Sequence, residues 1–315
     1  MSLGAKWQPI IIISAALLGV VLGRFTTLSN VSTGYIELFL MILLYILFIS
    51  MDLKDVKQAF VNVRYTLTAI FINFMITPIV AFLLGHIFFV DSIEIRIGLL
   101  MLLVTPCTDW YLVFTGLSRG NVGLNISILP INLILQIVLM PVYLFVFLGS
   151  EIQIETLDIL QSVLVVLLVP FMLSLITKLV LKDKEFIKGW IDTQSDNLQL
   201  LFLCLAVIVM FASESHKLFE NYELLITLFL PLSLFFILIL VIGQIVGRLL
   251  KFSKKDIIAL NFTTLARNSP LSLAIAVAAF PELPLVSLSL VIGPLIELPI
   301  LSVISNILLK WNQKE

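Results

Sequence analysis

Apolar residues in this chain come in long unbroken runs, not in the alternating or one-faced patterns of a water-soluble domain. Stretches without Asp, Glu, Lys or Arg lie between Arg64 and Asp91, Arg119 and Glu151, Asp158 and Lys178, and Glu223 and Arg248. Each is long enough for the roughly 20 residues a helix needs to cross a bilayer. Hydrocarbon offers backbone N–H and C=O groups no water, so a spanning segment must satisfy them internally. Barrel-type runs of alternating polarity are absent from the sequence, which leaves the helix. The pattern predicts an all-α, polytopic membrane protein. Cutting at charge clusters and at Gly, Asn, Asp and Ser breaks places ten transmembrane helices near residues 8–23, 34–51, 66–89, 97–118, 121–148, 158–181, 197–213, 223–247, 257–280 and 284–309.

Basic residues orient these spans, because Lys and Arg accumulate on the cytoplasmic side. With the N-terminus inside, fifteen fall in cytoplasmic segments, from Lys6 to Lys314, and three (Arg24, Arg96 and Lys217) fall outside. Arg267 lies within span nine. Both termini are then cytoplasmic and the chain is a multi-pass protein of the cell membrane. Trp7, Trp190 and Trp311 sit near cytoplasmic span ends, as interfacial anchors do. The first apolar tract, Pro9 to Leu22, has no small-residue cleavage site and reads as a retained helix, so the mature chain is expected to begin near Met1.

The prolines suggest an internal symmetry. Pro106 and Pro130 in spans four and five, and Pro270 and Pro294 in spans nine and ten, are each separated by 24 residues, and each is displaced by 164 from its counterpart. Five spans per half make the second half enter the membrane from the opposite side. This predicts two inverted five-helix repeats, residues 1–155 and 156–315. A proline inside a span removes a backbone hydrogen bond and frees carbonyls, so spans four and nine are expected to be broken helices.

Composition agrees with this reading: 60% hydrophobic, 12% charged, mean hydropathy +1.15 and a net charge of -1. That balance gives no reason to expect a nucleic-acid partner; the partners it implies are the lipid bilayer and a small solute, and it leaves the oligomeric state open. Cys107 and Cys204 lack a CxxC context and a histidine cluster, so no metal site or cofactor is expected. GxSxG, HExxH, a phosphate-binding loop and paired catalytic carboxylates are missing, which argues against an enzyme or a nucleotide-driven pump.

The densest polar clusters in the apolar tracts sit at the two expected breaks. Span four has Thr105, Cys107, Thr108 and Asp109; span nine has Thr263, Thr264, Arg267, Asn268, Ser269 and Ser272. Facing half-helix ends offer amide groups to an anion and carbonyl oxygens to a cation, so these residues form the expected substrate site. Asp109 and Arg267 are expected to face one another, either as a permanent pair that fixes packing or as a functional couple. Arg267 also has a stem long enough to reach an interface. Glu297, three residues after Pro294, is a proton carrier or a buried packing partner. Asn73 with Thr77 and Pro78, and Asn125, Asn132 and Gln136, decorate the neighbouring spans as interhelical contacts or ion-coupling ligands. Cys107 is a small filler or a soft ligand for a thiol-reactive solute. His86 and His216 fall at outer ends.

The stretches TPCTDWYLVFTGLSRGNVGL, LARNSPLSLAIAVAAF and VIGPLIELPILSVISN resemble the arsenite-efflux permeases of the bile acid/arsenite transporter superfamily, and SRGNVGL is also similar to its sodium-coupled bile acid branch. The resemblance implies ten spans in two inverted halves and an ion-coupled secondary transporter of arsenite or a small oxyanion, driven by H+ or Na+. The alternatives on the same fold are a sodium-coupled symporter of organic anions, and a channel or sensor. Cys107 matches the span-four cysteine of those permeases and Glu297 the acidic residue of their last span. Their span-nine glutamate is replaced by Ser272, and the glutamate that serves the bile acid branch as a sodium ligand is replaced by Thr263.

Overall fold

The computed structural model describes residues 3–26, 33–50, 62–108, 110–149, 156–181, 185–213 and 223–313, and among these nearly everything is helical and no strand forms. The helices are α1 (Leu3–Phe25), α2 (Thr33–Ser50), α3 (Val63–Phe88), α4 (Ile93–Leu103), α5 (Trp110–Leu117), α6 (Val122–Leu148), α7 (Thr156–Val180), α8 (Glu185–Ser213), α9 (Glu223–Leu249), α10 (Lys254–Leu265), α11 (Ser269–Ala279) and α12 (Pro284–Gln313). Among the described residues, five stretches are long and apolar enough to cross a membrane: α3, Val122–Phe147, Thr193–Ser213, α9 and α12. Leu168–Val180 and α11 are shorter apolar helices.

Among the described residues each expected segment contains helix, but the boundaries show what hydropathy measures. The seventh span was expected at 197–213, whereas α8 begins at Glu185. The added residues include the polar Glu185, Lys188, Asp192, Gln194 and Asp196. An apolar run marks the length that lipid can cover, and a helix continues past it wherever water serves the side chains. Prolines also differ in effect. Pro130, Pro141, Pro170, Pro231, Pro294 and Pro299 all sit inside continuous helices. Pro106 lies in the break between α4 and α5, while Pro270 occupies the first turn of α11 just after a break, where its missing N–H is unneeded. The breaks fall in spans four and nine, as expected, whereas Pro130, although close to Asn132 and Gln136, does not interrupt α6.

One compact unit comprises Met1–Asp52, Ile154–Glu223 and Pro270–Val291. In it α8 packs on α1 and α2, and α2 on α7. Phe48 meets Phe171 edge-on with ring centroids 5.4 Å apart, and Tyr45 Oη donates to Thr177 Oγ1 at 3.0 Å. The approach of α1 to α8 depends on Gly19, where a Cβ would stand 2.5 Å from the Ile208 carbonyl oxygen and 2.8 Å from Phe211 Cβ. Because the obstacle is main chain, Gly19→Leu is expected to cost about 2–3 kcal/mol, read as a lowered unfolding midpoint of the detergent-solubilised protein. Gly189, also in α8, has nothing within 4 Å of a Cβ, so Gly189→Leu should leave that midpoint unchanged or raise it.

The second unit comprises Leu53–Gln153, Leu224–Ser269 and Ile292–Glu315. Here α10 packs against α3, α5 and α6, and α4 against α3 and α6. Close approaches recur: a Cβ on Gly120 would meet Ile258 Cγ2 at 2.6 Å, one on Gly247 would meet Ile257 Cγ1 at 2.7 Å, and one on Gly293 would meet Leu102 Cδ2 at 2.6 Å. Small residues at contacts let spanning helices approach where no hydrophobic force draws them together. Residues 72–76 of α3 form a π-helical turn, which includes Asn73. Such turns shift side-chain register and concentrate at functional sites.

Candidate functional site at the crossing of two helix breaks

The two interrupted segments cross and pair. Cys107 N donates to Ala266 O at 2.9 Å and Asn268 N donates to Thr105 O at 2.8 Å, forming an isolated antiparallel bridge between Pro106 and Arg267. In this way two unwound stretches satisfy each other's main chain at a depth where nothing else is available.

The helix ends at the crossing are then accounted for group by group. A helix leaves its last four carbonyls without intrahelical partners. At the end of α4, Leu100 O accepts from Val104 N, the Thr105 hydroxyl lies 3.0 Å from Met101 O and 3.1 Å from Leu102 O, and Leu103 O accepts from Arg267 Nη1 at 2.8 Å. At the end of α10, Phe262 O accepts from Ala266 N, Arg267 Nε donates to Leu265 O at 3.0 Å, and Arg267 Nη2 donates to Thr264 O. Thr105 and Arg267, together with Asn73 on Thr263 O, are therefore the side chains that close the carbonyl ends of both broken helices.

Arg267 is 1% exposed and is among the largest fully buried side chains. Its Nη2 also donates to Asn73 Oδ1 at 3.3 Å, its guanidinium carbon lies 5.4 Å from the centre of the Phe235 ring, and its main-chain N–H donates to Glu297 Oε1 at 2.8 Å. The carboxylate thus grips the backbone of Arg267 while oxygens of three main-chain carbonyls and one amide hold its charge. Asp109, the expected facing partner, lies outside the described residues.

A polar chain continues from Arg267 into the neighbouring helices. Asn73 Nδ2 donates to Thr263 O at 3.1 Å, and Asn132 Nδ2 donates to Thr263 Oγ1 at 3.2 Å. Asn132 Oδ1, both amide ends of Gln136 and Thr77 Oγ1 are buried with no partner among the described residues. Unpaired buried amides are costly, so groups of this kind are retained where a solute, ion or water meets them. Asn125 differs: its Oδ1 accepts from Tyr65 Oη at 2.6 Å, while its Nδ2 donates to Thr115 Oγ1 at 2.8 Å and to Ala259 O at 3.1 Å. Tyr111 Oη donates to the Asn125 carbonyl at 2.8 Å. The sequence reading missed Tyr65, Tyr111 and Thr115; the signal was there, because a hydroxyl inside an apolar tract must find a partner.

The remaining candidates are placed as follows. Cys107 is buried, and its Sγ accepts from Trp110 N at 3.3 Å, at the start of α5. Thr108, Asn268 and Ser269 are buried at the breaks. Ser272 is fully buried in α11 and belongs to the other compact unit. His86 Nε2 lies 3.1 Å from Arg96 Nη1 near the end of α3, and His216 lies outside the described residues. Among the described residues no cluster of His, Cys, Asp or Glu could hold a metal ion.

Comparison with known proteins adds identity to this geometry. A model of the Sodium Bile acid symporter family matches residues 37–221, more than half of the chain. Arsenical-resistance protein Acr3 of Corynebacterium glutamicum is 23% identical over 94% of this chain and 86% of its own length. An uncharacterized transporter of Synechocystis is 22% identical over 98% of this chain and 88% of its own length. An uncharacterized sodium-dependent transporter of Bacillus subtilis is 25% identical over 49% of this chain and 48% of its own length.

Proposed function

The chain belongs to the Sodium Bile acid symporter family, a family of membrane transporters and not of enzymes, and we propose that this member is an ion-coupled secondary transporter that expels arsenite or another small oxyanion. The observation that carries the reading is the paired crossing of two broken helices, with a buried cation and a carboxylate at its centre. Along the chain α5 begins just after that crossing, and a helix N-terminus favours an anion. Thr105, Cys107, Thr108, Asp109, Arg267, Asn268 and Ser269 form the solute site in this reading. Asn73, Asn125, Thr263 and Glu297 surround it as ion-coupling residues, with H+ or Na+ as the coupling ion. Residues 1–155 and 156–315 are inverted repeats, giving ten crossings with both termini in the cytoplasm; the equal displacement of the two proline pairs supports this.

The test is flux into proteoliposomes of arsenite, antimonite and an organic anion under imposed proton or sodium gradients. Saturable, gradient-dependent movement of an arsenic or antimony oxyanion is the expected result. Flux that rises without saturation would identify a channel instead. Saturable movement of the organic anion alone would favour the symporter reading. If the Cys107 thiol contacts arsenite, Cys107→Ser should remove the protection of arsenite-challenged cells; unchanged resistance would eliminate thiol contact while leaving the carrier reading intact.

A further inference from the structure

The guanidinium of Arg267 has the surroundings of a coordinated metal ion. Its donors meet Leu103 O, Leu265 O, Thr264 O and Asn73 Oδ1, an all-oxygen set contributed by the carbonyl ends of α4 and α10 and by the π-helical turn of α3. Carbonyl ends of broken helices carry the negative pole of the helix dipole, and they are the groups that hold small hard cations in carriers built this way. An oxygen-only set without thiolate or imidazole suits alkali and alkaline-earth ions. Arginine keeps its proton under all physiological conditions and is more weakly hydrated than an ammonium group, so it can reside permanently in a buried cradle. With the side chain 1% exposed and the Phe235 ring 5.4 Å from the guanidinium carbon, the cradle is filled.

We infer that Arg267 is a tethered substitute for a diffusible cation: its guanidinium occupies an oxygen cradle at the crossing of the two broken helices, so the protein binds no sodium ion. The consequence for function rests on the carrier reading above. If the protein moves a solute, it does so without sodium, and its driving ion is a proton. The binding claim itself needs no flux. It also accounts for Glu297 accepting from the main-chain N–H of Arg267: the carboxylate fixes the residue that projects the charge and leaves the guanidinium to the carbonyls.

The experiment uses the purified full-length protein in detergent, with radioactive sodium binding and the thermal unfolding midpoint as readouts, in sodium, potassium and choline chloride at equal ionic strength. The wild type is expected to bind no sodium saturably and to unfold at the same temperature in all three salts. Arg267→Gln vacates the charge and retains a polar side chain. Its midpoint should become sodium-dependent, rising by about 5 °C at sodium roughly 100-fold above the dissociation constant. Arg267→Lys, which keeps a cation, should stay indifferent. Saturable sodium binding by the wild type overturns the inference, and so does a folded Arg267→Gln protein that gains no cation dependence. Should Arg267→Gln fail to fold, the wild-type binding measurement decides alone. Absence of flux with the expected binding results would defeat the carrier reading and leave this inference standing.

Discussion

Arg267→Ala is expected to lower solute flux, measured in sodium-free buffer and normalised to inserted protein, by at least about 100-fold, equivalent to roughly 2.7 kcal/mol. Truncation removes four hydrogen bonds at once and leaves Leu103 O, Thr264 O and Leu265 O, the carbonyl ends of both broken helices, without the donor that closes them. Breaking up a buried charged network by removing one member costs about 3–5 kcal/mol. Part of that will appear as reduced abundance and a lower unfolding midpoint, which is why flux must be normalised. Arg267→Lys should fall between, because a compact ammonium has three donors and no planar fork with which to reach four separated acceptors. Wild-type flux per inserted Arg267→Ala molecule would show that the crossing takes no part in transport.

The second large effect is expected at Asn125. Interhelical hydrogen bonds in membrane proteins average about 0.6 kcal/mol when both partners can find substitutes. A buried group left with no partner costs about 1–3 kcal/mol. Asn125 is 0% exposed, and Asn125→Leu would strand Tyr65 Oη and take one partner each from Thr115 Oγ1, which still donates to Tyr111 O, and from Ala259 O, which keeps its place in the ladder of α10, with no solvent to replace the lost bonds. The larger figure therefore governs, and the loss should reach about 3 kcal/mol. Tyr65→Phe removes one of these bonds and should cost about 1 kcal/mol. Unfolding midpoints of the two variants in one detergent check the order; a smaller drop for Asn125→Leu than for Tyr65→Phe would remove Asn125 from the centre of this network.

Asn125 and Asn73 illustrate how far residue type alone reaches. Both are asparagines in apolar tracts, and the sequence treats them alike, as interhelical contacts or ion ligands. The fold separates them: the Asn125 amide is committed to Tyr65, Thr115 and Ala259, whereas Asn73 turns its oxygen to Arg267 and its amide to Thr263. Partners 60 and 194 residues away, Tyr65 from Asn125 and Arg267 from Asn73, leave no local trace that would distinguish the two. The same holds for Glu297. Its acidity inside an apolar tract was legible, but its use as an acceptor for the main chain of Arg267 was not, since a backbone N–H is present at every non-proline position.

What the sequence determined by itself was the solvent, and through the solvent the secondary structure. Hydrocarbon admits only backbone that satisfies itself, so long uncharged runs had to be helical, and the prolines beside polar clusters marked where an interruption could fall. Which prolines interrupt, how far α8 runs beyond its apolar segment, and what closes the carbonyls at the breaks were decided by tertiary structure. Those outcomes depend on groups distant in the chain arriving within hydrogen-bond reach: Thr105 beside Asn268, Leu103 beside Arg267 and Arg267 beside Glu297. Composition can require that a buried charge find partners; only packing selects them.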